Sequence, residues 1–203
     1  MRIPRHIGVI PDGNRRWAVG HGLKKEEGYE SGLEPGLALY KLCKQLGVEE
    51  VTFYGFTQDN TKRSREQTTA FRKACVEAVQ LLKKEHADLL IVGNTQSPMF
   101  PPELLEYTTR TTLGKGEIKI NFLVNYGWEW DLSRGTGNLY SAEISRMDLI
   151  IRWGGRRRLS GFLPIQAVYA DLFVEEDYWP DFQPEHFHKA IDWYQTQDVT
   201  LGG

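Results

Sequence analysis

Two short stretches of the chain carry side chains suited to binding an anion. "IRWGGRRRLSGF", Ile151 to Phe162, gathers Arg152, Arg156, Arg157 and Arg158 around two glycines, with Ser160 after them. Guanidiniums bind phosphate oxygens two at a time, and a glycine turn lets backbone N–H groups come close to an anion. "IPDGNRRWA", Ile10 to Ala18, sets one acid, Asp12, beside Gly13, Asn14, Arg15 and Arg16. A carboxylate next to a phosphate pocket commonly acts through Mg2+, which takes oxygen ligands and bridges phosphates. Asn14 and the Gly13 amide suit the same anion, and Asp171 in "YADLF" is the candidate second acid. Three other uses compete: a solvated basic turn, plain ion pairing of Asp12, and a nucleic-acid patch. A net charge of −2 and the lack of a nucleic-acid motif speak against the last.

Such residues need elements that bring them together, and the hydrophobic pattern supplies them. Ile7–Ile10, Val51–Phe56, Leu89–Gly93, Ile118–Val124 and Asp148–Trp153 are short runs, most of them apolar on consecutive positions. That is the pattern of strands covered on both faces. "GLALYKLCKQLG" and "TTAFRKACVEAVQLLKKEHA" carry apolar residues at three- and four-residue spacing and predict amphipathic helices. Pro35-Gly36 should kink or break the first of these before Leu37. "PPELLEYTTRTTLGKGE" opens on prolines suited to a first helical turn and stops at glycine, so a helix is expected there too. Ser133–Met147 is polar and glycine-containing, and reads as a connecting loop.

Strand-helix alternation of this kind predicts a single α/β domain over residues 1–203, with a mostly parallel central sheet flanked by helices. Ligands of such sheets sit beyond the carboxyl ends of the strands. "PDGNRRW", "TQDNTKR", "NYGWEWD" and "GGRRRLS" follow four of the five runs and are expected to meet along that edge.

Composition sets the remaining bounds. With 203 residues, 40% hydrophobic and 26% charged, the chain suits one soluble domain with a sizeable core. No run approaches the ~18 apolar residues of a membrane span, and the N-terminal run is too short for a signal peptide. Cys43 and Cys75 have neither ligand spacing nor a disulfide framework, and read as reduced core thiols of a cytoplasmic protein. His186 and His188 in "HFH" lack a third ligand and read as surface residues. Trp128 and Trp130 read as packing.

The same blocks resemble, in order along nearly the whole chain, those of the cis-prenyltransferases, the undecaprenyl diphosphate synthase family. "HIGVIPDGNRRWA" is similar to that family's opening signature, "VTFYGFTQDNTKR" to its second block and "INFLVNYGWEWD" to its third. "DLIIRWGGRRRLSGFLPIQAVYADLFVEEDYWPDF" is similar to its C-terminal signature. The resemblance implies a homodimeric α/β enzyme in which an allylic diphosphate ionises and a second prenyl diphosphate attacks as an alkene. It implies Asp12 as the essential Mg2+ residue, with Asn14 and Arg16 as its catalytic companions. Gly13, Asn14, Arg15, Arg16, Lys25 and Arg63 would cradle the allylic diphosphate, with Trp17, Tyr29, Thr57 and Asn60 as further substrate-binding residues. Arg152, Arg158 and Ser160 would hold the second diphosphate, and Asp171 would be the second metal-side carboxylate. Prenyl diphosphates are then the partners, with no nucleic acid and no membrane insertion.

Departures from the family pattern point to a particular reaction. Tyr29 stands at a usual histidine, Thr61 at a tryptophan and Asp59 at a glutamate, while Trp153 and Arg156 are both foreign. Asp171 shortens a usual glutamate. Thr200 replaces an arginine of a tail that, in many members, reaches the partner's site; Arg156 is expected to supply that charge in place. The chain is also shorter than a typical member between "NYGWEWD" and "DLIIRW", and bulky Trp153 is expected beside the second diphosphate. The product should therefore be short. The changes resemble those of the cyclolavandulyl diphosphate synthase branch, which joins two dimethylallyl diphosphates head to middle and closes a ring. Regular short-chain elongation with isopentenyl diphosphate, and a non-catalytic accessory subunit, are the alternatives.

Overall fold

The computed structural model describes residues 2–198. The chain runs β1 (His6–Ile10), α1 (Asn14–Gly20), α2 (Leu33–Leu46), β2 (Glu50–Tyr54), α3 (Arg65–Leu82) and β3 (Ala87–Val92). It continues through β4 (Thr111–Leu113), β5 (Lys119–Leu123), α4 (Trp128–Asp131), β6 (Leu149–Arg152), β7 (Asp171–Val174) and α5 (Pro184–Gln195). The strands form one sheet in the order β4-β3-β5-β2-β1-β6-β7. All neighbours are parallel except β3 and β4. The expected α/β architecture is thus present, and each of the five apolar runs supplies a strand.

Both faces of the sheet are covered, which is why the strands read as unbroken apolar runs. Residues of α2, α3 and α5, among them Leu39, Val79 and Phe187, pack on one face against Ile7, Val51 and Ile91. On the other face Ile10, Tyr54, Leu123 and Ile150 meet Ile144, Met147, Phe162 and Leu163, which belong to irregular chain rather than to long helices.

Three local expectations change. Pro35 lies inside α2 without breaking it, because it is the third residue, where backbone N–H groups have no helical acceptor in any case. The expected helix after Phe100 is a 3-10 turn, Pro102–Thr108, followed by β4. The β-branched run "TTRTTL" pairs with β3 as an antiparallel edge instead of winding on. β7, four residues long, was hidden within an apolar segment that carried no strand-length run.

At the amino-terminal end of the central strands lies a buried polar network. The His6 Nδ1–H donates to the Ser145 carbonyl at 3.0 Å, and the Thr52 hydroxyl faces Nε2 at 2.8 Å. Asn121 donates to Glu50 at 2.7 Å, and the Ser145 hydroxyl donates to Glu50 as well. Burial lowers the His6 pKa, outweighing the attraction of Glu50 and Asp148. Since the folded protein resists protonation of His6 more than the unfolded chain does, this group costs stability as pH falls below about 6.5. The unfolding midpoint is expected to drop between pH 7 and 5.5, and His6→Gln should flatten that drop; an unchanged slope in the variant would locate the sensitivity elsewhere.

Cys43 and Cys75 are both free and buried, and burial pushes the Cys75 thiol up to about 12. Among the described residues, no helix is long and apolar enough to cross a membrane.

Candidate active site

Register decides what stands at the carboxyl edge. Ile10 of β1 pairs with Arg152 of β6, and Val9 with Phe53 of β2, so the three strands end abreast. Asp12, two residues beyond β1, meets Arg152 although 140 positions separate them: Oδ2 accepts from Arg152 Nη2 at 2.9 Å. The other carboxylate oxygen accepts the Gly13 N–H at 2.6 Å, with Arg16 at 3.6 Å. Burial works to raise the Asp12 pKa, but the hydrogen bond and charge of Arg152, the Gly13 amide and Arg16 outweigh it. Its carboxyl is held below the ordinary value, so Asp12 is an anion at neutral pH. Gly13 has φ 105, and a Cβ there would lie 2.6 Å from the Tyr178 ring, so the turn admits only glycine without a shift.

Around this pair opens a cleft of about 660 Å³. Its wall brings together Asp12, Gly13, Asn14, Arg15, Arg16, Lys25, Tyr29, Thr57, Asn60, Arg63, Arg152, Arg156, Arg158 and Ser160, nearly the whole set expected from sequence. Seven cationic side chains face two carboxylates, Asp12 and Asp59, a formal excess of five positive charges on a chain whose net charge is −2. Field of that sign and size, walled by low-dielectric protein, concentrates polyanions. Arg63 donates to the Tyr29 hydroxyl at 2.9 Å, and Thr57 and Asn60 cap each other's backbone at 3.3 and 3.1 Å.

The glycine turn works differently from expectation. The Gly154 and Gly155 amides do not face the cleft; they donate to the Asp177 and Glu175 carbonyls at 2.8 and 3.0 Å. What the turn needs is backbone freedom: Gly154 and Gly155 have φ +83 and +70, a left-handed conformation that favours glycine. Anion contacts therefore fall to the arginines. Arg152 also donates to Ser160 Oγ at 3.0 Å and to the Arg158 carbonyl, which fixes the loop. Two residues that the sequence reading passed over complete this support. The Tyr54 hydroxyl donates to the Ser160 carbonyl at 2.8 Å, and the Tyr178 ring lies 4.9 Å below Arg16. Tyr54 ends β2, a signal that was available; Tyr178 follows β7, which the sequence did not announce.

An apolar cavity of about 90 Å³ adjoins the cleft, sharing Pro11, Asn14, Tyr29, Gly55 and Phe71 with it. Tyr29 and Phe71 stack at 4.4 Å, and Phe53 and Phe122 at 5.1 Å, so rings occupy much of the space between α2, α3 and the sheet.

Some expected residues lie elsewhere. Asp171 opens β7 and pairs with Leu149, at the amino-terminal edge, so within this chain it stands roughly 10 Å below the level of Arg152 along the strands. Trp17 is absent from the cleft wall; its indole donates to Asp181 at 2.7 Å and its ring stacks on His21. Trp153 is fully buried against Trp179 and Phe182 and does not line the cleft. "NYGWEWD" after β5 stays off the cleft, with Trp130 stacked on Tyr140. Arg157 turns away to pair with Glu176. Thr200 lies outside the described residues. His186 comes close to Glu175 and Asp177, a trio that could suggest metal. Its Nδ1 accepts the Gln183 N–H at 3.2 Å, so Nε2 carries the proton and donates to Asp177; neither nitrogen is free to ligate.

The donor set of the cleft suits Mg2+. Asp12 and Asp59 are the carboxylates of the cleft, and the buried Asn14 Oδ1 lacks a hydrogen-bond partner. Protein would thus supply few oxygen ligands, and water and substrate oxygens the others, the mode Mg2+ commonly adopts.

A cationic cleft and an apolar cavity thus lie side by side at the carboxyl edge of a parallel sheet. Comparison with known proteins gives the family. The family described as "Putative undecaprenyl diphosphate synthase" matches residues 10–143 and 136–202, and the chain belongs to this prenyltransferase family. An isoprenyl transferase of Clostridium tetani is 31% identical, covering 99% of this chain and 90% of that protein. A tritrans,polycis-undecaprenyl-diphosphate synthase (geranylgeranyl-diphosphate specific) of Thermoplasma volcanium is 30% identical over 98% and 89% of the two chains. In fold, the chain is similar to lavandulyl diphosphate synthase from Lavandula x intermedia, solved with dimethylallyl diphosphate: TM-score 0.80, 20% identity and 98% of each chain covered.

Proposed function

We propose that this prenyltransferase is a short-chain prenyl diphosphate synthase that couples two dimethylallyl diphosphates head to middle and closes a lavandulyl-type ring. The observation that carries the reading is the mismatch of the two spaces. The cleft, about 660 Å³, has room and charge for two diphosphates, whereas the apolar space that opens from it is about 90 Å³, too little to store a long polyprenyl chain.

In this reading Arg15, Arg16, Lys25 and Arg63 take the allylic diphosphate, while Arg152, Arg156, Arg158 and Ser160 take the second. When the C1–O bond of the first ester breaks, the diphosphate leaves with the electron pair, and these fixed cations meet its developing charge without reorganising. Mg2+ held through Asp12 would add Lewis-acid neutralisation of that leaving group. The internal double bond of the second ester, held within ~3–3.5 Å, attacks C1 and leaves a tertiary cation. A methyl proton of that cation moves to C2 of the first ester's remaining double bond, leaving a terminal alkene and a new tertiary cation. Attack of the terminal alkene carbon on that cation closes a six-membered ring, and the proton lost from the resulting cation passes to the released diphosphate. Arg156 has no ion-pair partner among the described residues and stands ready for the second anion.

A homodimer belongs to the same reading. Ile165, Val168 and Tyr169 are exposed on one segment, an apolar face of the kind that copies of a chain cover. Asp171 could serve a metal only across such an interface.

The relatives named as undecaprenyl synthases favour regular elongation as the second reading. A product assay separates the two. Dimethylallyl diphosphate alone, with Mg2+, is expected to give a ten-carbon branched or cyclic diphosphate by mass spectrometry and NMR. Product formed only after isopentenyl diphosphate is added would replace this reading with regular elongation.

A further inference from the structure

We propose that the Asp12–Arg152 ion pair is a placeholder: Asp12 occupies the guanidinium that a diphosphate will take, and the arriving diphosphate, by drawing Arg152 away, frees Asp12 for a divalent cation. This rests on the cleft being a diphosphate site. Both Asp12 oxygens are engaged, Oδ2 by Arg152 at 2.9 Å and Oδ1 by the Gly13 amide and Arg16. A hexacoordinate Mg2+ at about 2.0–2.1 Å from Oδ2 would share that oxygen with a guanidinium, like charge against like charge. The excess of five positive charges around the cleft repels a bare divalent cation and attracts a polyanion.

Arg152 is built for the exchange. Its side chain is 4% exposed and tied to Ser160 and Arg158, whereas that of Asp12 is 35% exposed. Yet Arg152 Nε is buried with no hydrogen-bond partner. Asp12 engages Nη2 alone, while a phosphate can take Nη2 and Nε together as a fork, satisfying the orphaned donor. The anion therefore out-competes the carboxylate for the same guanidinium, and the metal follows the anion into the site rather than preceding it.

The sign of one substitution distinguishes this arrangement from a plain metal ligand. Titration calorimetry with inorganic diphosphate in EDTA should show Asp12→Asn binding about tenfold tighter than the unmodified protein, since a competing negative charge has gone. Asp12→Ala should behave alike. Asp59→Asn removes a carboxylate from the same cleft without touching Arg152, and should tighten binding no more than about twofold. Excess Mg2+ should improve diphosphate binding to the unmodified protein and leave the Asp12 variants unchanged. Equal or weaker binding by folded Asp12→Asn in EDTA overturns the placeholder, as does tight binding of Mn2+ by the protein without diphosphate. If the unmodified protein binds diphosphate neither in EDTA nor in Mg2+, the diphosphate site itself is wrong.

Discussion

Arg152→Met should lower kcat/KM for prenyl coupling by about a thousandfold, while Arg157→Ala, five residues on, stays within about twofold of the unmodified enzyme. The run "RRR" is uniform in sequence but not in space. Arg156 and Arg158 line the cleft, and Arg157 is turned outward onto Glu176, both partners well exposed. Exposed pairs of that kind contribute about 0–1 kcal/mol. Arg152 is buried, faces Asp12, and anchors Ser160 and the Arg158 carbonyl, so its loss removes a fixed positive charge and loosens the loop carrying two further anion contacts. Loss of one preorganised electrostatic contact commonly costs ~10²–10³ in rate, and the loop adds to it. Arg152→Lys keeps the charge without the planar fork and should fall between the two. Arg156→Ala should raise the KM for dimethylallyl diphosphate about tenfold with kcat little changed. Steady-state kinetics on the four variants, each checked for folding by circular dichroism, tests the assignment; equal rates for Arg152→Met and Arg157→Ala would remove Arg152 from the site.

Much of this site could be read because strand ends are conspicuous. The apolar runs ending at Ile10 and Arg152 announce parallel strands, and the rule that ligands gather at carboxyl edges brings Asp12 and Arg152 together across 140 positions. What could not be read depended on partners distant in sequence. Nothing local to "GG" says that its amides are taken by the Glu175 and Asp177 carbonyls. Asp171 reads as a neighbour of Asp12 in its own chain only while β7 is unrecognised; the parallel strand that begins there sets it at the opposite edge of that chain's sheet. Pro35 looked like a break because the start of α2 lacks a capping side chain to announce it.

Trp153 is the exception, since the signal was present. Successive strand residues point to opposite faces, so a residue following a cleft-facing Arg152 should turn into the core. There it lies fully buried, 4.8 Å edge-to-face from Trp179, with its indole N–H lacking a partner. Trp153→Ala should cost about 3–5 kcal/mol of folding stability, the range for deleting a buried aromatic, and should lower the urea midpoint without changing its slope. Trp153→Phe sheds the unpaired N–H along with some contact area, two changes of opposite sign, and should stay within about 1.5 kcal/mol of the unmodified protein. Neither variant should alter the distribution of products at a temperature where both are folded, because the ring lines neither the cleft nor the apolar cavity and only backs the cavity-wall residue Trp179. Longer products from Trp153→Phe would mean that this ring does limit chain length after all, and would shift the size limit away from the Tyr29–Phe71 stack to the core beneath β6.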